Sequence, residues 1–299
     1  MERQLRVAAS GASLAVSLSP ADSDVLLALH GASSGLRSHF LYTHLHRVLP
    51  PIGVGVATFD RRGDGESSGE PSVGNFRLQA DDALSVLQAV GGHGGLWGFS
   101  QGGWVAPLAS TLSSKVEFLV LVASCGVTPS AQMMYAVGEQ LQRAGQPQKV
   151  IDRVLTLRSD LAAWIHEPDL QRRDVLAREL QAARAEPWWD WAFLPEQPPD
   201  TAARRAWCDE MDFDPAPVFA NVRVPTLLFY GTDDAWTPVA SSIAAWKQAR
   251  GDEVEICIVE GASHEMTLPN GELSHEYEDR LVEWLISIGA GARQTAVRA

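Results

Sequence analysis

The sequence predicts an α/β protein with a mostly parallel central sheet, helices on both faces and an inserted helical cap. Three observations carry that expectation. The apolar side chains of Asp24–His30 (DVLLALH) run continuously, as in a strand covered on both faces, and Val116–Ala123 (VEFLVLVA) reads as another buried strand. Helix-period segments alternate with them at short spacing, the rhythm of parallel strands joined by crossover helices. That rhythm stops after Cys125 and returns near Thr226.

Taken in order, Val7–Leu18 reads as one or two strands turning at Gly11, and Asp24–His30 as a buried strand. Ser38–Leu49 reads as a surface helix carrying His39, His44 and His46 and ending before Pro50-Pro51. Gly53–Phe59 is the next strand. Phe76, Ala80, Ala83, Leu84, Leu87 and Val90 recur at three- and four-residue intervals, marking an amphipathic helix that Gly91-Gly92 ends. Gly95–Phe99 is a short strand, Gln101–Leu112 a helix and Val116–Ala123 another strand. No convincing strand follows until Thr226. Ala131–Arg143, Lys149–Ile165 and Asp169–Arg184 read instead as helices, with Pro147, Pro168 and Pro187 as breaks. The sheet returns with Thr226–Tyr230, a helix over Val239–Ala249, the strand Val254–Val259 and a closing helix over Glu276–Ile288. The expected organisation is therefore a core of residues 1–126 and 212–299 with a cap of residues 127–211.

The chain has 299 residues, 45% of them hydrophobic, enough for a substantial core. Its formal net charge is -13, and lysine occurs only at Lys115, Lys149 and Lys247. Such a surface repels nucleic acid and anionic lipid, so neither is an expected partner. Cys125, Cys208 and Cys257 form neither a disulfide framework nor a zinc signature. No stretch reaches the roughly 18 apolar residues that span a bilayer. The polar start MERQLRVAAS does not resemble a signal peptide, making cytoplasmic residence the default expectation. No Cys/His/Asp/Glu run has metal-ligand spacing, and no cofactor is called for. Chain size admits a homodimer without specifying one.

Gly98-Phe99-Ser100-Gln101-Gly102 lies between an apolar strand and a helix-forming run. A serine there sits on a sharp strand-to-helix turn with its hydroxyl exposed above the sheet. Serine is a weak nucleophile alone and needs a base. His264, in the loop after Val254–Val259, fits that role better than the other histidines. His30 ends a strand, His93 sits in a glycine loop, and His166 lies in the cap. An acid that orients the imidazole is expected at Asp233 or Asp234, after Thr226–Tyr230. The chain order Ser, Asp, His is that of strand–turn–helix serine enzymes rather than of the chymotrypsin or subtilisin arrangements. Two backbone N–H groups, from Gln101 and Ala32, are candidates to receive the oxyanion. The glycine-rich run Asp60–Ser67 lacks the phosphate-binding patterns and reads as an Asp60–Arg62 brace between loops. Trp104, Trp188, Trp189, Trp191 and Trp236 are candidates to line an apolar substrate pocket, with packing as their alternative role.

These segments resemble the α/β-hydrolase superfamily. HGASSG is similar to its oxyanion loop, DRRGDGESSG to its D-x-R-G-x-G-x-S segment, and GLWGFSQGGWVAPLA to its nucleophile elbow. Gly231, Asp234 and Pro238 match G-x-x-D-x-x-x-P, which implies Asp234 as the acid, and GASH matches G-x-x-H at His264. MDFDPAPVF resembles the return from cap to sheet in serine aminopeptidase-like and esterase-like bacterial members. Serine at position 100 sets the chain apart from the dehalogenase and epoxide hydrolase branches, which use aspartate there. The resemblance implies hydrolysis of a carboxylic ester, thioester or lactone of a small hydrophobic substrate. Aminopeptidase or amidase, acyltransferase and C–C hydrolase chemistry use the same triad, and a non-catalytic ligand-binding protein is the rival outside enzymology.

Overall fold

A computed structural model describes residues 2–21 and 24–291. The strands are β1 Arg3–Ala9, β2 Ala12–Ser19, β3 Val25–Leu29, β4 Gly55–Phe59, β5 Gly94–Phe99, β6 Val116–Val122, β7 Thr226–Gly231 and β8 Val254–Val259. The helices are α1 Phe40–Val48, α2 Phe76–Val90, α3 Gly102–Leu112, α4 Pro129–Arg143, α5 Gln148–His166, α6 Leu170–Ala183, α7 Trp189–Ala192, α8 Thr201–Met211, α9 Ala216–Phe219, α10 Val239–Arg250 and α11 His275–Ser287.

The strands form one sheet in the order β1-β2-β4-β3-β5-β6-β7-β8. The β1–β2 hairpin runs antiparallel onto β4, and the remaining pairings are parallel. Every residue of β3, β4, β5 and β7 is buried, as strands covered on both faces require. Trp97, Phe118, Phe229, Tyr277 and Trp284 anchor the core on one face.

The chain divides into two compact units. The first comprises Met1–Gly126, Asp214–Asp234 and Val239–Ala299. The second comprises Val127–Phe213 and Ala235–Pro238. The second unit is helical and packs its own core from Leu141, Val154, Leu161, Trp164, Leu176, Leu180 and Trp188. Thr128, Asp169 and Asp200 accept hydrogen bonds from backbone N–H groups at the starts of α4, α6 and α8, satisfying donors that helix geometry leaves without intrahelical partners.

Two expectations change. Helix α1 is not a surface helix in the sense expected: Leu41, Tyr42, His44 and Leu45 are buried. His44 Nδ1–H donates to the Leu41 carbonyl at 2.6 Å, which satisfies one ring nitrogen, while Nε2 is buried without a hydrogen-bond partner among the described residues. The glycine-rich brace is also wired differently. Asp60 pairs with Arg37 and accepts from the Arg37 and Glu66 backbone amides. Arg62 instead grips Asp82 at 2.5 and 2.9 Å. Asp60 and Arg62, two positions apart, therefore serve separate partners.

Candidate active site

Ser100 sits between the last residue of β5 and the start of α3 with φ 51°, a left-handed conformation that costs a non-glycine residue energy. The flanking glycines make the turn possible. A Cβ on Gly98 would overlap the Gly102 carbonyl oxygen, and one on Gly102 would lie 2.8 Å from the Leu29 carbonyl oxygen. The turn is pinned by Ser100 N–H donating to Val122 O at 2.9 Å and Gly103 N–H donating to Ser100 O at 2.8 Å.

The helix after the serine contains Pro107, which supplies no N–H to the carbonyl four residues back, that of Gly103. The Ser124 hydroxyl donates to this Gly103 oxygen at 3.0 Å. Trp246 Nε1–H donates in turn to Ser124 Oγ at 3.3 Å, and Tyr230 O–H donates to the Ser124 carbonyl at 2.7 Å. The start of α3 is thereby locked to the loop after β6. Trp104 belongs to this lock. It is 5% exposed, and its indole N–H donates to Cys125 O at 2.7 Å.

The loops bearing Asp234 and His264 are stitched together. Asp233 N–H donates to Ala262 O at 2.9 Å, and Gly261 N–H donates to Thr232 Oγ1 at 2.8 Å. Met266, with φ 58°, completes the histidine turn, and its carbonyl accepts from Ser274 N–H at 2.8 Å. The carboxylate of Asp234, 3% exposed, lies 2.9 and 3.0 Å from His264 Nδ1. Asp233 points to an exposed position instead. An ionised carboxylate only accepts, so Nδ1 carries the proton and Nε2 presents its lone pair. The His264 ring lies 5.1 Å, centroid to centroid, from Phe99, the residue before Ser100.

The loop bearing Ala32 approaches the same turn. A Cβ on Gly31 would fall 2.9 Å from the Phe99 ring and 3.6 Å from Ser100 Cβ. Arg61 holds this loop through a 3.1 Å bond to Gly31 O. His30 bonds Phe59 O at 2.6 Å, and burial pushes its pKa down to about 3. It is a neutral strut for the loop. Gln101 is the N-terminal cap of α3, so its amide lies among the N–H groups that a helix start leaves unpaired. Its side chain turns away, accepting from Gln79 Nε2 at 3.1 Å.

Of the helical unit's candidates, Trp188 is 2% exposed in that unit's core, Trp189 packs against the same core and Trp191 is exposed. The Trp236 ring meets Phe193 edge-on at 5.5 Å, and its carbonyl accepts from Gln132. Sequence reasoning missed the pair of His39 and Glu265, 3.4 Å apart, the latter beside His264 in the chain. The hydrogen bond to His39 holds the Glu265 carboxyl below its ordinary range. Nothing in the local pattern links these residues, which are 226 positions apart in the chain.

A doubly wound sheet with a strained serine after β5, and a buried aspartate paired with a part-buried histidine on the loops after β7 and β8, defines a hydrolase of the α/β class. Residues 25–282 match the Alpha/beta hydrolase family, and the chain belongs to it. A stretch of 87 residues is 39% identical to lysophosphatidylserine lipase ABHD12 of Gallus gallus, covering 27% of this chain and 22% of that one. The Danio rerio protein of the same name matches to the same extent. The match thus spans about a fifth of those relatives' length. An esterase of Pyrococcus furiosus superposes with a TM-score of 0.64 at 14% identity, over 96% of this chain and 91% of that one. Proline iminopeptidase of Mycobacterium smegmatis gives 0.62 at 18% identity, over 95% and 98%. These superpositions place the chain in a fold that hosts several chemistries. Among the described residues no helix is long and apolar enough to cross a membrane.

Proposed function

We propose that the chain is a serine hydrolase that cleaves a carboxylic ester, thioester or lactone of a small hydrophobic substrate. The observation that carries this reading is the pairing of buried Asp234 with part-buried His264, whose ring lies against that of Phe99, the residue before Ser100. His264 Nε2 takes the proton from Ser100 Oγ as the oxygen attacks the carbonyl carbon. The tetrahedral oxyanion is held by the backbone N–H groups of Gln101 and Ala32. The imidazolium then protonates the leaving alkoxide, and the ester C–O bond breaks to give alcohol and acyl-serine. Water, deprotonated by the same imidazole, attacks the acyl-serine, and the acid departs as Ser100 recovers its proton. Asp234 stays ionised throughout and stabilises the imidazolium.

The match to a lysophosphatidylserine lipase over 87 residues supports an acyl ester as the substrate class. Trp236, two residues after Asp234 in the chain, is the proposed apolar contact of the acyl chain. A series of p-nitrophenyl esters from acetate to decanoate tests the reading. Turnover rising with acyl length, and abolished by Ser100→Ala, supports it. Equal rates in the variant would overturn it.

A further inference from the structure

The motif Gly91-Gly92-His93-Gly94-Gly95 has no part in the chemistry above. The sheet order sets β5 between β3 and β6. At the starts of these strands Val25 faces Gly94, and Gly94 faces Val116. The residues just before or within these positions are Asp24, His93 and Glu117. A Cβ on Gly94, with φ 149°, would overlap the Val25 carbonyl oxygen. Only glycine permits the approach that brings His93 beside Asp24. Glu117 falls at a register slip, because Gly94 pairs with Val116 and Gly95 with Phe118. A slip of this kind re-aims a side chain.

His93 Nδ1 lies 3.8 Å from Asp24 Oδ1 and 3.7 Å from Glu117 Oε1. One donor atom from each residue lies within 4.8 Å of the other two. Separations of 3.7 and 3.8 Å exceed the length of a hydrogen bond. They suit ligand atoms sharing one ion, since bonds of about 2.0–2.2 Å in tetrahedral geometry put ligand atoms roughly 3.4 Å apart. Asp24 is 1% exposed, and a carboxylate that deep is characteristically compensated by partners or by a cation. His93 is half exposed, which leaves a path for an ion and open positions for water.

We propose that Asp24, His93 and Glu117 form a divalent transition-metal site, with Zn²⁺ the ion best suited to one imidazole and two carboxylates. Ca²⁺ is disfavoured because it takes six to eight oxygens. The ion would tie together the starts of three neighbouring strands, at the opposite end of β5 from Ser100. The sequence hides this site because its donors come from three separate segments.

A second group, His166, Cys208 and Asp212, lies in the helical unit and serves as the internal control. The test is calorimetric titration of Zn²⁺ into the full chain stripped with EDTA. The wild type is expected to show an equivalent that His93→Ala and Glu117→Gln each weaken at least tenfold and Cys208→Ser leaves in place. Glu117→Gln conserves shape, so it tests the site even if His93→Ala disturbs folding. Circular dichroism checks each fold. The proposal is overturned if the wild type binds no Zn²⁺, if both core variants bind as the wild type does, or if Cys208→Ser alone removes all binding. Ester turnover is expected within about twofold of wild type in His93→Ala.

Discussion

The parallel strands of the sheet carry a histidine–carboxylate group at each end, and the two groups differ in one dimension. Past the C-terminal ends of β7 and β8, His264 touches Asp234 at 2.9 Å. At the N-terminal ends of β3 and β5, His93 stands 3.8 Å from Asp24 and 3.7 Å from Glu117. Contact distance fixes a tautomer and readies one nitrogen as a base. The wider spacing, with two carboxylates, leaves room for an ion. Six strand residues separate His93 from Ser100 on β5, roughly 20 Å at 3.3 Å per residue. On the proposals above, the same residue types would serve different chemistry at the two ends according to how the loops close on them.

The sharpest way to break this comparison is Asp234→Asn. Loss of the correct tautomer should lower kcat on the order of 10⁴-fold, whereas Asp233→Asn should stay within a few-fold. Steady-state kinetics on one ester measures both, and equal effects would remove the distinction between contact and mere proximity.

A smaller effect concerns the two core histidines. Burial lowers the pKa of His30 to about 3 and of His44 to about 4. The folded-state values lie below the ordinary 6.5, so the unfolded chain binds the extra protons as pH falls. Stability is fully present above about pH 6.5 and is lost on acidification toward 4, at up to about 1.4 kcal/mol per pH unit for each histidine. Urea unfolding at pH 7 and pH 5 should show a lower midpoint in acid. A midpoint that does not move would contradict the neutral-strut role of His30.

Ser124→Ala removes the donor to the carbonyl orphaned by Pro107. It should cost about 1–3 kcal/mol in urea unfolding. The smallest effect is expected at Gln101→Ala. The backbone donor survives, so kcat should remain within a few-fold, while loss of the Gln79 bond costs about 1 kcal/mol of stability.

Much of the core was legible because a strand buried on both faces is continuously apolar, as in β3. Ser100 was legible because its turn demands small flanking residues. The choice between Asp233 and Asp234 was not a local property. Burial separates them, and burial follows from how the β7 and β8 loops stitch together. Helices α7, α8 and α9 went unread, the four-residue α7 and α9 being too short for a period to show. The partners of Asp60, Arg61 and Arg62 were equally hidden, since three adjacent polar residues look alike until the backbone aims them apart. His44 was misplaced because polarity was taken as exposure, whereas a local carbonyl satisfies its N–H.

The most direct test of the central claim, that Ser100 is an activated nucleophile, is intact mass after treatment with a small fluorophosphonate, with Ser100→Ala as control. One covalent adduct on the wild type and none on the variant is the predicted result. An unmodified wild type that is folded and soluble, or an equal adduct on both proteins, would contradict it.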